Sequence, residues 1–318
     1  MSAIAQPTAT ETTALDTTAT TATTESTGDG RSGHTPAGGA GAVIDRPRHR
    51  PDQPAPRVTL RGVLLSEWVK LRSLRSSVTT LGASGAIMVL VGVIFAAILG
   101  GVLSGGGGDL NSEFANNPAG AALQGTMLAQ LVIGVLGVML ITSEYATGTI
   151  RNTLAVVPKR LPVLWAKVIV TAVVSYPTVL VASLIAFFAG QALIGSGGIA
   201  TASLGDPGVL GAVLGTAGYL TGVALLGLAV GTLLRSTAVA ISTLFGVIFL
   251  LPGLGQLLLP ASWKDNVLQY LPSNAATSFT SVHHVAGTLS TGAGTAVFLA
   301  WIFVPLAAAA VLLKRRTA

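Results

Sequence analysis

From residue 57 onward the chain alternates long uncharged apolar runs with short polar breaks, and each of these runs is long enough to cross a bilayer as a helix. The spacing predicts spans over 78–103, 123–142, 168–190, 209–234, 238–259 and 295–313. Arg235, Ser236 and Thr237 divide the fourth from the fifth, because an arginine sits at far lower cost at an interface than at mid-membrane. Pro252 predicts a kink in the fifth. Ahead of the first span, Leu60, Val63, Leu64, Trp68, Leu71 and Leu74 recur every three or four residues, which predicts an amphipathic interfacial helix within 57–77. Arg61, Lys70, Arg72 and Arg75 give it a basic complement, and Trp68 suits headgroup depth. Glu67 falls inside the apolar stripe. There an unpaired carboxylate is costly, so it calls for a partner: Lys70 or Arg75, a loop arginine, or another subunit. The alternative is a carboxylate reaching out to the headgroups.

Residues 1–56 carry no such pattern. Rich in Thr, Ala, Gly, Ser and Pro, they hold too little apolar surface to offset the entropy of ordering and read as a disordered cytoplasmic tail. The tail lacks the apolar core of a signal peptide, so the first span is expected to serve as the insertion signal. Its cluster Arg46, Arg48, His49 and Arg50 reads as solvated tail rather than as a nucleic-acid site.

Composition agrees with the pattern. Only 9% of residues are charged against 51% hydrophobic, and the charges avoid the apolar runs. The fold class is therefore an all-α polytopic membrane protein: disordered tail 1–56, interfacial helix 57–77 and a six-span domain 78–318. Apart from Lys264, the 18 Lys and Arg residues fall in the region up to Arg75, in 143–167, at Arg235 or at 314–316, whereas Asp109, Glu113, Asp206 and Asp265 occupy the other connections. By the positive-inside rule the chain is a multi-pass membrane protein with both termini cytoplasmic. Connections 104–122, 191–208 and 260–294 then lie outside. The absence of cysteine excludes a disulfide framework and thiolate metal sites.

The segment 143–167, SEYATGTIRNTLAVVPKRLPVLWAK, stands between two spans on the basic side. Gly148 and Thr149 break the preceding helix and offer a cap. Ile150, Leu154 and Val157 then fall at helical spacing until Pro158, giving a short surface helix flanked by Arg151, Lys159, Arg160 and Lys167. At Glu144, Gly148, Thr149, Leu154, Pro158, Arg160 and Lys167 the chain resembles the permeases of type-2 ATP-binding-cassette (ABC) exporters, where this pattern forms the coupling region. The segment SEWVKLRSLRSS, 66–77, is similar to the amphipathic stretch that precedes the first span in many of them. With the spacing of the spans, the resemblance covers roughly 58–316.

The resemblance implies a six-span exporter permease. It docks a separate ATP-binding subunit through Glu144, Gly148, Thr149, Ile150, Arg151, Leu154, Pro158, Lys159 and Arg160, with Glu67, Trp68, Lys70 and Arg72 on the neighbouring interfacial helix. It also implies a second copy or a related permease, ATP and Mg²⁺ held by the partner and not by this chain, and short re-entrant helices in 260–294. Independently, Gly211, Gly215, Gly218, Gly222, Gly227 and Gly231 supply three Gly-x-x-x-Gly pairs to the fourth span, a spacing that lets helices approach closely in lipid.

Several chemistries are disfavoured. No lysine precedes Ser or Thr, so no phosphate loop is present. The expected spans hold no Asp, Glu or His for an ion relay. His34, His49, His283 and His284 lie in the tail or the last connection, without the pattern of a catalytic or metal site. The expectation is thus a transport subunit without its own catalytic or metal centre, in contact with the lipid bilayer. A non-transporting scaffold or sensor, or an ion-driven carrier, is the alternative. Drug, peptide, lipid and polysaccharide cargo stay open.

Overall fold

The computed structural model describes residues 59–73, 75–101, 117–149, 161–283 and 287–315, and the regular structure among them is entirely helical. In chain order the helices are α1 (Leu60–Ser73), α2 (Arg75–Leu99), α3 (Pro118–Ala122), α4 (Thr126–Ala146), α5 (Leu161–Ser196), α6 (Val209–Leu234), α7 (Thr237–Leu258), α8 (Ala261–Leu268), α9 (Pro272–Thr280) and α10 (Thr291–Arg315). Six of them, α2, α4, α5, α6, α7 and α10, are long and apolar enough to span a membrane. The tail 1–56, the segment 150–160 and His284 lie outside the described residues.

The spans match the expected runs, with one large extension. The third, α5, begins at Leu161 rather than 168 and runs for 36 residues, taking Lys167 into a helix. On the other side α4 continues to Ala146 and takes in Glu144. These two charges do not stop the helices because they are paired with each other.

Close packing sets the arrangement. Gln130 of α4 bonds Tyr219 of α6 and, further along both helices, Ile141 of α4 lies against Gly231 of α6, so α4 and α6 run parallel. Gly85 and Ser183 place α2 alongside α5 in the same sense. The short α3 is wedged between α2 and α5: a Cβ at Gly92 would strike the carbonyl of Ala122, and one at Gly190 would lie 2.6 Å from the Ala122 methyl. The apolar pattern does not reveal this element, because five residues of Pro, Ala and Gly carry no helical periodicity.

Arg235 ends α6 in the left-handed region at φ 56°, and Ser236 restarts the chain in an extended conformation, so the fourth and fifth spans are separate helices. Pro252 lies inside the fifth span, α7. It follows a π-helical turn, Gly246–Leu250, in which the Leu251 amide donates to the Gly246 carbonyl. Proline cannot donate to the carbonyl four residues back, that of Ile248. The widened turn makes room for the ring, and the Ile248 carbonyl accepts the Ser273 hydroxyl of α9 instead, at 3.2 Å. The connection 260–294 holds α8 and α9, and α9 packs on α6 and α10.

Helix α1 turns out differently from its expected stripe. Val63 and Glu67 face inward, with Val63 and Leu64 against Val163 and Ala166 of α5. Leu60 and Trp68, expected in the same stripe, are exposed with Leu65 and Val69. Glu67 sets the rotation, because its partner Lys167 lies on α5.

Candidate functional site

Three elements converge where the chain leaves α4 and re-enters α5. Gly148 adopts φ 70°, a left-handed conformation that costs a glycine little, and ends the helical run after Thr147. Thr147 and Thr149 share a hydroxyl hydrogen bond of 2.8 Å on the exposed side of this turn. One turn back in α4 stands Glu144, and two turns into α5 stands Lys167. Helix α1 lies across both and contributes Glu67 and Lys70.

The four side chains form a closed ring of alternating charge. Lys70 Nζ lies 2.7 Å from Glu67 Oε1, and Glu67 Oε2 lies 2.7 Å from Lys167 Nζ. Lys167 Nζ is 3.0 Å from Glu144 Oε1, and the same oxygen is 3.3 Å from Lys70 Nζ, which closes the circuit. Glu67 is only 3% exposed and Lys167 5%, so an unpaired charge at either position would be costly and each serves as the other's partner. Burial by itself pushes the Glu67 carboxyl up. The charge of Lys167 and the hydrogen bonds from Lys167 and Lys70 outweigh that and hold it below its ordinary value. Burial likewise opposes the charged form of Lys70, but its hydrogen bond to Glu67 and the charges of Glu144 and Glu67 raise its pKa overall. The ring is neutral as a whole, which suits a partly desolvated position.

Beside it opens a cavity of about 130 Å³, lined among others by Ser77, Ser143, Glu144, Lys167 and Thr171. Glu144 Oε2 and Thr171 Oγ1 are the two buried side-chain oxygens without a hydrogen-bond partner among the described residues. Both line this cavity. On the far side of α4, Arg235 lies over the Tyr145 ring at 5.1 Å from its centroid, and the Thr237 hydroxyl donates to Thr142 Oγ1 at 2.9 Å. The end of α4 is thus held from two directions.

Of the residues singled out from the sequence, Glu67, Lys70 and Glu144 belong to the ring, and Gly148 and Thr149 form the turn that leaves it. Trp68 and Arg72 point away and are exposed. Ile150, Arg151, Leu154, Pro158, Lys159 and Arg160 lie outside the described residues. From the sequence Lys167 stands out as the lysine that opens a span, not as the partner of Glu67. The signal that could have found the pairing is that it is the one charged residue between Leu161 and Ser196.

The glycines of α6 divide among three neighbours. A Cβ at Gly227 would lie 2.6 Å from the Gly134 carbonyl of α4, and one at Gly231 2.8 Å from the Ile141 side chain. Gly215 abuts the Phe279 carbonyl of α9, and Gly222 the Phe298 and Ile302 side chains of α10. A methyl added at Gly211 or Gly218 would meet nothing within 4 Å, so these two make no close contact. The mating glycine on α4, Gly137, faces the Ala224 carbonyl and escapes the sequence pattern, since it stands outside any Gly-x-x-x-Gly pair. No group of three or more His, Asp or Glu residues suited to a metal ion occurs among the described residues.

No curated protein matches the chain. The family model described as the ABC-2 family transporter protein does, over residues 111–318, a stretch that takes in α3 to α10 and the Glu144 and Lys167 half of the ring. Six membrane-spanning helices, an all-helical fold and a family match over most of the sequence agree: the chain belongs to the ABC-2 family of transporter membrane proteins and is an ABC transporter permease.

Proposed function

We propose that the chain is the permease half of an exporter and takes its energy from a separate ATP-binding subunit docked on the segment 143–167. ATP and Mg²⁺ belong to that partner. The observation that carries the reading is the charge ring, which ties both helical ends of the segment to α1. A push on the segment is then shared by α1, α4 and α5 as one body, a rigid-body transmission of the kind that turns domain closure into helix movement. Arg151, Lys159 and Arg160 steer and orient the partner, while Ile150 and Leu154 supply buried contact.

The clustering of Arg61, Lys70, Arg72, Arg235, Lys314 and Arg315 at the ring's end of the helices supports a cytoplasmic position for that end. The path for cargo runs along the interface with a second permease, and the short helices of 260–294 dip into the opposite leaflet. The test is co-purification of the full chain with its ATP-binding subunit in mild detergent. Wild type retains the subunit, and Gly148→Pro combined with Arg151→Glu loses it. Retention by the double variant, or no association at all, favours an uncoupled scaffold instead.

A further inference from the structure

An open groove of about 530 Å³ runs between α2 and α5, with Leu90, Val181 and Ile185 exposed along it. Its floor is made of small residues, Gly82, Gly85 and Ala86 of α2 and Ala182 of α5, and its walls of Val89 and Val181. The lining is almost wholly apolar, and the volume lies within the roughly 300–1,000 Å³ typical of ligand sites. Nothing approaches within 4 Å of a methyl placed on Gly82, so the groove is not filled by the protein's own side chains there.

The groove has a charged end. Arg75, Thr79, Gly82, Ala86, Val89 and Val93 fall on one stripe of α2, since seven residues are close to two full turns. Arg75 thus stands in line with the groove, about 10 Å below Gly82 at 1.5 Å per residue. It is exposed at the first residue of the span and makes no ion pair among the described residues. An arginine at the membrane boundary, at one end of an open apolar groove, is complementary to one kind of molecule, a negatively charged headgroup attached to a hydrocarbon chain.

We propose that this groove is a binding site for one anionic phospholipid, with an acyl chain laid over Gly82 and Ala86 and the phosphate at Arg75. A second copy of the chain fits less well. Packing α2 against α2 about a two-fold axis brings Arg75 against Arg75, a like-charge contact. The spanning helix that offers most surface to such a partner is α7, whose apolar window is only 17% buried against 39% for α2. The site is independent of the ATPase reading, because neither Arg75 nor the groove shares a residue with the ring.

The experiment is native mass spectrometry of the full chain released from mild detergent, with dioleoylphosphatidylglycerol and dioleoylphosphatidylcholine added in equal amounts. Wild type should retain a single phosphatidylglycerol in preference to phosphatidylcholine. Gly82→Leu with Ala86→Leu fills the floor and should lower that adduct roughly tenfold, the equivalent of about two methylenes denied burial. Arg75→Gln leaves the groove open and should lower the preference for phosphatidylglycerol about fivefold, while Arg75→Lys retains most of it. Arg75→Gln changes only an exposed side chain and serves as the test if the filled variant does not fold. An unchanged adduct in the filled variant, or equal binding of the two lipids by wild type, overturns the site. A shift from dimer to monomer on filling the groove overturns it in favour of a contact between copies.

Discussion

The two ends of the helix bundle are built from different physics. At the end that carries the ring, α1, α4 and α5 are joined by three charge contacts of 2.7–3.3 Å, with Arg235 stacked on Tyr145 close by. At the other end the contacts that hold α3 and the end of α5 are neutral. The Gln191 amide donates to the Pro118 carbonyl and its oxygen accepts the Ala202 amide, while α3 is pressed between Gly92 and Gly190 so closely that no side chain fits. Backbone packed on glycine has one arrangement and no tolerance. A ring in which each lysine serves both carboxylates can exchange one partner for another with a small change of length. The fixed end suits an anchor, and the charged end suits a part that receives and passes on movement.

The largest effect expected is from Lys167→Met, which leaves two carboxylates to share Lys70. Stability should fall by about 3 kcal/mol, measured by unfolding in mixed micelles. Adding Glu67→Gln restores neutrality and should recover more than half of the loss, so the double-mutant cycle reads out the coupling. Next comes the neutral end. Gly92→Val drives a side chain into the Ala122 carbonyl and should cost about 2 kcal/mol, with no rescue by any charge change.

Acidity separates the ends as well. The folded-state pKa of Glu67 lies below its ordinary 4.5, so its contribution is fully present above pH 4.5 and is lost as pH falls through the lowered value. Lys70, raised above 10.5, contributes below that pH and loses its part as pH rises through the raised value. Wild type should therefore show a plateau between these limits with a fall on the acid side, whereas the deficit of Gly92→Val relative to wild type stays constant through that fall, because it leaves the ring intact. The smallest expected effect is that of Arg235→Ala, about 0.5–1 kcal/mol for a cation stacked on an aromatic ring, seen as a slight loss of thermal stability in detergent.

Much of the fold is legible in the residues, because apolar length is a local property. The division at Arg235, the turn at Gly148 and the six spans all follow from charge and glycine placement. What is not legible is pairing at a distance. Glu67 announces a need for a cation, but Lys167 lies 100 residues away, and only the crossing of α1 over α5 brings them together. The rotation of α1 differs from its expected stripe for the same reason. Its apolar positions cover more than one face, and the position of the ring decides which face turns inward. In α6 the glycine spacing marks a close-packing helix, yet Gly211 and Gly218 meet nothing while Gly137 on α4, in no recognisable pair, meets a carbonyl. The π turn before Pro252 is equally hidden, since its compensation, the Ser273 hydroxyl, comes from another helix.

If the ring is the coupling element, α1, α4 and α5 move as one body when the ATP-binding subunit closes. The direct measurement is the distance between spin labels at Leu65 of α1 and Thr147 at the end of α4. It should be made in the full chain bound to that subunit, with and without ATP and Mg²⁺, in wild type and in the Glu67→Gln/Lys167→Met variant. Both labelled positions are exposed and outside the ring. The expected result is a distance in wild type that ATP leaves unchanged within the width of its distribution, and in the variant a broader distribution that ATP shifts. A wild-type distance that changes with ATP as much as the variant's would contradict the ring as the coupling element.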